Sequence, residues 1–204
     1  MKTIRLVVAG TPGAGKSTFV RTISDIEVVE TERKTTDKLS QFKEKTTVAF
    51  DFGRLALPSS LNLNIYGTPG QSRFSFMWDF LMQNAQAYIL LVAANRPADF
   101  SYARYIYSFA KERVQIPMLI GITHRDHLEA RDSEEIISKL GCINGKDKAP
   151  FIVVNPTNRV SVVKSLIALM MLLIADEASQ PSRRRNQSTQ HYVRHTFSLP
   201  WPRS

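Results

Sequence analysis

The stretch from Gly10 to Ser17, GTPGAGKS, constrains the fold of this chain more than any other. Its glycines permit backbone angles that other residues avoid, so several backbone N–H groups can converge on one anion. A short apolar strand over residues 4–9 precedes it, and residues 18–23 continue with helical spacing. A strand, a glycine loop and a helix are the context in which this pattern binds phosphate, which disfavours a chance glycine-rich turn.

The residue types of this stretch match the needs of a bound polyphosphate. The Lys16 ammonium supplies a cation for β- and γ-phosphates, and the Ser17 hydroxyl suits Mg²⁺. The following helix directs the positive end of its dipole at the same anion. We therefore assign the whole stretch and the next threonine to ligand binding: Gly10, Thr11, Pro12, Gly13, Ala14, Gly15, Lys16, Ser17 and Thr18.

Composition predicts one packed domain followed by a basic tail. The chain has 204 residues, 43% of them hydrophobic, and we expect the domain at residues 1–177. A single cysteine, Cys142, excludes an internal disulfide and fits a reducing, cytoplasmic location. The apolar run at the N-terminus is too short for a signal peptide.

The tail, residues 178–204, has five arginines and no acidic residue, so the net charge of +9 falls to +4 without it. Its polar, proline-containing composition predicts disorder. The positive charge of the tail indicates binding to an acidic partner or to an anionic membrane surface, to which the protein would then attach peripherally. A solvated tail without a partner is an equal alternative. No helix-turn-helix or finger pattern indicates nucleic-acid binding, so we expect none beyond a nucleotide ligand.

Apolar segments alternate between strand and helix spacing along the chain. Strands are predicted at 4–9, 47–53, 61–66, 87–92, 117–122 and 150–154, and helices at 74–81, 99–114, 133–140 and 160–175. This alternation predicts an α/β fold with a mainly parallel sheet covered on both faces and ligands at the carboxyl ends of the strands.

Three further segments have specific expectations. The second and third strands form an antiparallel hairpin with a turn at 57–60, and the polar segment 27–45 forms a long mobile loop. The last helix carries ten consecutive apolar residues, 166–175, which is too short to span a bilayer. Burial against the sheet is favoured for this helix, and a partner-docking face is the alternative.

The order of these motifs resembles a Ras-like small GTPase over about residues 3–175. The segments TTVAFDFG and YGTPGQ are similar to the bacterial Ras/Arf-like GTPases, akin to the gliding-polarity group. The resemblance implies a P-loop NTPase fold, a three-layer sandwich, with GTP/GDP and Mg²⁺ as ligands. It also implies GTPase-activating and effector proteins as partners in signal transduction.

The resemblance assigns roles to two switch segments. Thr47, or Thr46 if the register is off by one, matches the switch I threonine that contacts the γ-phosphate and joins Ser17 at Mg²⁺. Gly70 would donate its N–H to the γ-phosphate, and Gln71 would orient the attacking water. The catalytic residues implied are thus Gln71, Lys16 and Thr47.

Two motifs depart from the family pattern. Gly67 stands where the family usually has an aspartate near Mg²⁺. In the base-recognition motif, Asp126 retains the carboxylate that pairs with guanine, but Thr123 and His124 replace an asparagine and a lysine. The last base-contacting loop should be Asn155, Pro156 and Thr157.

We therefore expect a GTP-binding molecular switch with slow hydrolysis that depends on a partner, since no arginine is securely placed to act within the chain. The alternative is a nucleotide-dependent scaffold that hardly hydrolyses, which Gly67 favours and Gln71 disfavours. A P-loop kinase ranks last, because the arginines cluster in the tail. The four histidines lack metal-ligand spacing, so we expect no structural zinc.

Overall fold

The computed structural model describes residues 2–30, 50–58, 60–70, 76–142 and 149–179. Its strands are β1 (Lys2–Gly10), β2 (Val29–Glu30), β3 (Asp51–Leu57), β4 (Leu61–Gly67), β5 (Ala87–Ala93), β6 (Met118–Thr123) and β7 (Phe151–Val153). Its helices are α1 (Lys16–Ile23), α2 (Phe76–Gln83), α3 (Phe100–Arg113), α4 (Ser133–Lys139) and α5 (Arg159–Ser179), with a 3-10 turn at Pro97–Asp99 before α3.

The strands form one seven-stranded sheet in the order β2-β3-β4-β1-β5-β6-β7. β1 pairs in parallel with β4 and β5, and β6 pairs in parallel with β5 and β7. Among the described strands, only the pairs β2–β3 and β3–β4 are antiparallel. The predicted mainly parallel sheet is confirmed, and the carboxyl ends of five strands meet at one edge.

Helices cover both faces of the sheet, and β1 shows why. Its side chains alternate, so Leu6 and Val8 pack in the cluster that includes α1 and α5. Val7 and Ala9 pack in the opposite cluster, which includes α2, α3 and α4. The predicted three-layer arrangement is confirmed, and β1 is buried on both sides from Leu6 onward, as the apolar run there requires.

The hairpin and the long loop differ from their predicted bounds. β3 runs to Leu57, which pairs with Leu61, so the prediction ended this strand too early and placed Leu57 wrongly in the turn. Val29–Glu30 add an edge strand to β3, within a segment predicted to be loop. Residues 31–45 of that loop lie outside the described residues, as do residues 46–49.

The last helix is longer than predicted and is buried on one side only. Its inner side packs on the sheet and α1 through Val162, Leu166, Leu169 and Leu173, which confirms burial against the sheet. The opposite side exposes an apolar stripe of Val160, Val163, Ile167, Met171 and Ile174. Among the described helices, none is long and apolar enough to cross a membrane. The tail beyond Ser179 lies outside the described residues.

Candidate nucleotide-binding site

The glycine loop between β1 and α1 adopts a backbone that side chains would obstruct. A Cβ on Gly10 would lie 2.3 Å from the Leu91 carbonyl oxygen of the neighbouring strand. Gly15 caps α1 in the left-handed region at φ 90°, and a Cβ there would lie 2.7 Å from Pro156 Cγ. The loop therefore depends on glycine both for its turn and for close approach of two other segments.

Lys16 lies at the start of α1 with its side chain only 8% exposed. Its Nζ donates a hydrogen bond to the Thr11 carbonyl oxygen at 2.8 Å, which holds the ammonium over the loop. A Cβ on Gly70 would lie 2.8 Å from Lys16 Nζ and 2.9 Å from the Pro12 nitrogen. The segment that follows β4 therefore lies directly on the phosphate loop.

Two buried hydroxyls at this edge indicate that a ligand belongs there. Thr11 and Thr68 are 1% and 2% exposed and follow the ends of β1 and β4. Within the described part of the chain, neither hydroxyl oxygen has a hydrogen-bond partner. A buried polar group without a partner costs about 1–3 kcal/mol, so such groups are uncommon. These residues fit a ligand rich in acceptor oxygens, such as a phosphate chain.

A pocket of about 350 Å³ opens beside the loop. It brings together three segments that were assigned separately to the ligand: the start of α1, the turn after β6 and the turn after β7. Its lining comprises Gly15, Thr18, His124, Arg125, Asp126, Val153, Val154, Asn155, Pro156 and Thr157. Asp126 is exposed at this pocket, where its carboxylate can accept two hydrogen bonds from a ligand.

The turn after β7 is fixed by its own hydrogen bonds. Asn155 Oδ1 accepts from the Thr157 backbone nitrogen at 3.0 Å and from the Thr157 hydroxyl at 2.7 Å. The Thr22 hydroxyl on α1 donates to the Pro156 carbonyl oxygen at 2.6 Å. The turn is therefore a preformed wall of the pocket, and the side-chain oxygen of Asn155 already accepts hydrogen bonds from within the turn.

Thr123 lies beneath the pocket and not in its wall, although the sequence placed it among the base contacts. Its side chain is fully buried, and its hydroxyl donates to the Ala14 carbonyl oxygen at 3.1 Å. The same hydroxyl oxygen lies 2.9 Å from His124 Nδ1, and the tautomer of the ring decides which of the two groups donates. Thr123 thus joins the phosphate loop to the turn that carries Asp126.

His124 stands at the pocket in an unusual backbone conformation. Its φ is 57°, in the left-handed region that non-glycine residues seldom adopt. Its ring lines the pocket and is held by the contact between Nδ1 and the Thr123 hydroxyl. The geometry therefore offers a planar, fixed ring where the family pattern has a flexible lysine.

Trp78 on α2 is a site residue that the sequence analysis missed. Its indole is fully buried, and Nε1 donates to the Pro69 carbonyl oxygen at 3.3 Å. The ring packs edge-on against Phe109 of α3, with centroids 5.5 Å apart. The Pro69 carbonyl and the Gly70 N–H belong to one trans peptide and point in opposite directions. Trp78 therefore fixes the direction in which Gly70 presents its N–H.

Arg96, after β5, was also missed. Its Nη1 donates to the Pro12 carbonyl oxygen at 3.2 Å, and a Cβ on Gly13 would lie 2.3 Å from the same nitrogen. Its Nε pairs with Asp99 at 2.9 Å. The guanidinium thus brings a second cation against the phosphate loop. No motif in the sequence indicated this, because the contact depends on how the β5 and β1 ends meet.

Three of the predicted site residues lie outside the described residues, namely Thr46, Thr47 and Gln71. Ser17, the other predicted Mg²⁺ ligand, is exposed in the first turn of α1. Within the part of the chain that the structure describes, no group of three His, Cys, Asp or Glu side chains gathers as a metal site.

The fold and the site define a phosphate-loop nucleotide-binding protein with the architecture of a small GTPase. The family model described as "Ras of Complex, Roc, domain of DAPkinase" matches residues 5–126, which is more than half of the chain. The chain therefore belongs to the Roc family of Ras-like GTPase domains. No curated protein matches the sequence.

A solved structure gives an independent comparison of the fold. The Arl6 BBS3 small GTPase from Trypanosoma brucei, with a bound nucleotide analogue, GppNp, superposes with a TM-score of 0.65. The match covers 85% of this chain and 99% of that chain, at 13% sequence identity. At that identity the similarity shows a shared fold, and the Ras-like fold predicted from the sequence is confirmed.

Proposed function

We propose that this protein is a GTP-binding molecular switch that hydrolyses GTP slowly and cycles between GTP and GDP to control a partner protein. One observation carries the proposal: Gly70 lies against Lys16 and Pro12, so the segment after β4 rests on the phosphate loop. A γ-phosphate held at that loop would be contacted by Gly70, and its loss would release the segment. Such a contact discriminates GTP from GDP, which is the requirement for a population shift.

The proposed roles follow from the residues at the loop. Lys16 and the loop amides would hold the phosphates, while Ser17 and Thr47 would supply oxygen ligands for Mg²⁺. When bound, Mg²⁺ supplies charge neutralisation for phosphoryl transfer. Gln71 would orient the attacking water. The nucleotide analogue in the Arl6 structure supports triphosphate binding by this fold.

Guanine is the base that the pocket favours. The Asp126 carboxylate is an acceptor only, so it suits the N1–H and amino group of guanine and repels the acceptor N1 of adenine. The ring of His124 and the turn at Asn155, Pro156 and Thr157 would enclose the base.

Slow, partner-dependent hydrolysis can be measured directly. We expect purified protein to release phosphate slowly from GTP in single-turnover assays, and Gln71→Leu to be slower still. A partner that supplies an arginine would typically accelerate the step by about 10³–10⁵. Fast release that Gln71→Leu leaves undiminished would contradict this mechanism, and no release in wild type would favour the nucleotide-dependent scaffold.

The remaining proposals concern the whole chain. We propose a GTPase domain at residues 1–177 and a separate basic tail at 178–204 that binds GTPase-activating or effector proteins with acidic patches, or an anionic membrane. We also propose a cytoplasmic location, possible attachment at the membrane surface included, which the single cysteine supports. We also propose that the protein is a bacterial relative of the gliding-polarity group, because its segments TTVAFDFG and YGTPGQ are similar to that group.

A further inference from the structure

The outer side of α5 carries half of the large apolar side chains that the described residues expose. Its members are 36–66% exposed, namely Val160, Val163, Ile167, Met171 and Ile174. Successive members are 3, 4, 4 and 3 residues apart. At 3.6 residues per turn, this spacing aligns them in one stripe along the helix, which we call the α5 stripe. An exposed apolar stripe with spacings of three and four residues is suited to packing against another helix.

The spacing of the α5 stripe reads the same in both directions along the helix. Ile167 stands in the middle, and the other members lie 4 and 7 residues away on either side. When a second α5 is laid antiparallel with Ile167 opposite Ile167, Val163 therefore faces Met171. By the same symmetry, Val160 faces Ile174. One two-fold axis through the middle of the stripe thus generates all of its contacts, as in an isologous dimer.

The charged residues that flank the stripe also fit an antiparallel second copy. Arg159 and Glu177 are both exposed and lie 18 residues apart, which is five helical turns, so they share one flank. In an antiparallel pair each flank meets its own equivalent. Arg159 is then opposite residue 175 of the second copy, about 3 Å along the axis from Glu177. A parallel pair would instead place like charges level with each other.

These charges are placed unfavourably within a single α5. Its first turn has no acid and its last turn has no base, whereas the helix dipole favours acids at the start and cations at the end. Antiparallel pairing corrects this, because Arg159 then lies at the carboxyl end of the other α5. Its Nη1 donates to the Thr22 carbonyl oxygen at 3.0 Å, and Nη2 lies 3.4 Å from Asp25. A guanidinium has five N–H donors, so it can keep these contacts and also bind Glu177 of a second copy.

We propose that the α5 stripe binds the α5 stripe of a second copy of this chain, antiparallel and about a two-fold axis at Ile167. The inference goes beyond the proposed function and does not depend on a bound nucleotide. Five side chains of one helix cover less than the ~800 Å² per partner of a standard interface, so the pair is weak and reversible. Because α5 begins directly after the turn at 155–157, the two nucleotide pockets lie at opposite ends of the paired helices.

The test is thiol cross-linking of the full chain. Cys142 is the single native cysteine and is fully buried, so a cysteine introduced on the stripe is the accessible thiol. Ile167→Cys places this thiol on the two-fold axis. We expect a short bis-maleimide to convert this variant to a covalent dimer in a yield that rises with protein concentration. Leu128→Cys, at a fully exposed position after β6, should give only the collisional background.

Two further cysteine variants report the direction of pairing. In the antiparallel pair, residue 160 is level with residue 174 of the second copy and about 21 Å along the axis from its own equivalent. Val160→Cys and Ile174→Cys should therefore each stay at background when treated alone. An equal mixture of the two variants should give a covalent dimer that contains one chain of each. A parallel pair would show the reverse, with cross-linking of each variant to itself and none across the mixture.

Sedimentation of the untreated protein tests the energetics of the pair. Ile167→Glu brings two like charges together on the axis and should abolish the concentration-dependent dimer, whereas Leu128→Glu should keep it. Glu177→Arg places a cation beside Arg159 of the second copy and should weaken the dimer. Glu129→Arg makes the same change at an exposed position away from α5 and should not. Because the substituted side chains are exposed, the melting temperature should stay near that of wild type.

The outcomes separate this inference from the proposed function. Cross-linking of Ile167→Cys at the Leu128→Cys level, or a wild type that sediments as a monomer at every concentration, overturns the proposal. Self-linking of Val160→Cys overturns the antiparallel arrangement. Phosphatidylcholine vesicles that bind monomeric wild type but not Ile167→Glu would assign the stripe to a lipid surface instead. Each of these results leaves the GTPase proposal standing, since that proposal fails only on nucleotide binding and hydrolysis.

Discussion

Replacing Thr123 by Val tests whether one buried hydroxyl joins the phosphate loop to the base-recognition turn. Valine has nearly the same shape, so packing is largely kept while the hydrogen bond to the Ala14 carbonyl oxygen and the contact with His124 Nδ1 are lost. His124 is partly exposed and can reach water, whereas Ala14 and Thr123 are fully buried. The loss of stability should therefore come mainly from the Ala14 carbonyl oxygen, which is left without its hydrogen-bond donor.

The expected cost follows from that burial. Leaving a buried carbonyl without its donor costs about 1–3 kcal/mol, so the free energy of unfolding should fall by that amount. Urea unfolding of nucleotide-free protein measures it, provided that the slope with urea is unchanged. GTP affinity should fall as well, because the turn that carries Asp126 loses its tie to the loop.

Two variants control for other causes. Thr123→Ser keeps the hydroxyl and should retain most of the nucleotide affinity. Thr3→Val makes the same change at an exposed position of β1 and should stay within about 0.5 kcal/mol of wild type. If Thr123→Val is no less stable than Thr3→Val and binds GTP as wild type does, the hydroxyl does not join the two loops.

Three other predictions concern separate parts of the molecule. Trp78→Phe removes the hydrogen-bond donor to the Pro69 carbonyl oxygen and should lower the free energy of unfolding by about 1 kcal/mol. It should also lower the preference for a GTP analogue over GDP, whereas Trp201→Phe should change neither quantity. Calorimetry with Asp126→Asn should show a shift from guanine toward xanthine nucleotides, and an unchanged preference would remove Asp126 from base recognition. Deleting the residues after Ser179 should keep GTP binding and abolish salt-sensitive sedimentation with anionic liposomes; if the full chain ignores liposomes at low salt, only an acidic partner remains.

The mainly parallel sheet was predictable because most of its strands have a strong local signal, whereas the order of the strands was not predicted. The unbroken apolar runs of β1, β5 and β6 are typical of strands buried on both faces, and the phosphate loop fixes the first strand and helix in sequence. The end of β3 was misjudged because Leu57 stands before a proline and a serine pair, which indicate a turn, while its pairing with Leu61 depends on the partner strand.

The site was predictable where a motif holds its residues within one segment. Contacts between different segments were not predictable from the sequence, because no local pattern marks them. Examples are the contacts of Arg96 with Gly13, of Trp78 with Pro69 and of Asp51 with Gly67. The burial of Thr123 beneath the pocket could not be predicted either, because sequence gives the position of a residue at a strand end but not its burial.

The most direct test of the account is a calorimetric titration of the purified protein with GTP, GDP and ATP in the presence of Mg²⁺. We expect GTP and GDP to bind at one site and ATP to bind at least about 10²-fold more weakly, since hydrogen bonds to a charged group contribute about 1.5–3 kcal/mol each. Lys16→Ala, which removes the ammonium held over the loop, should abolish binding of both guanine nucleotides. Undiminished GTP binding by Lys16→Ala, or ATP binding as tight as that of GTP, would contradict it.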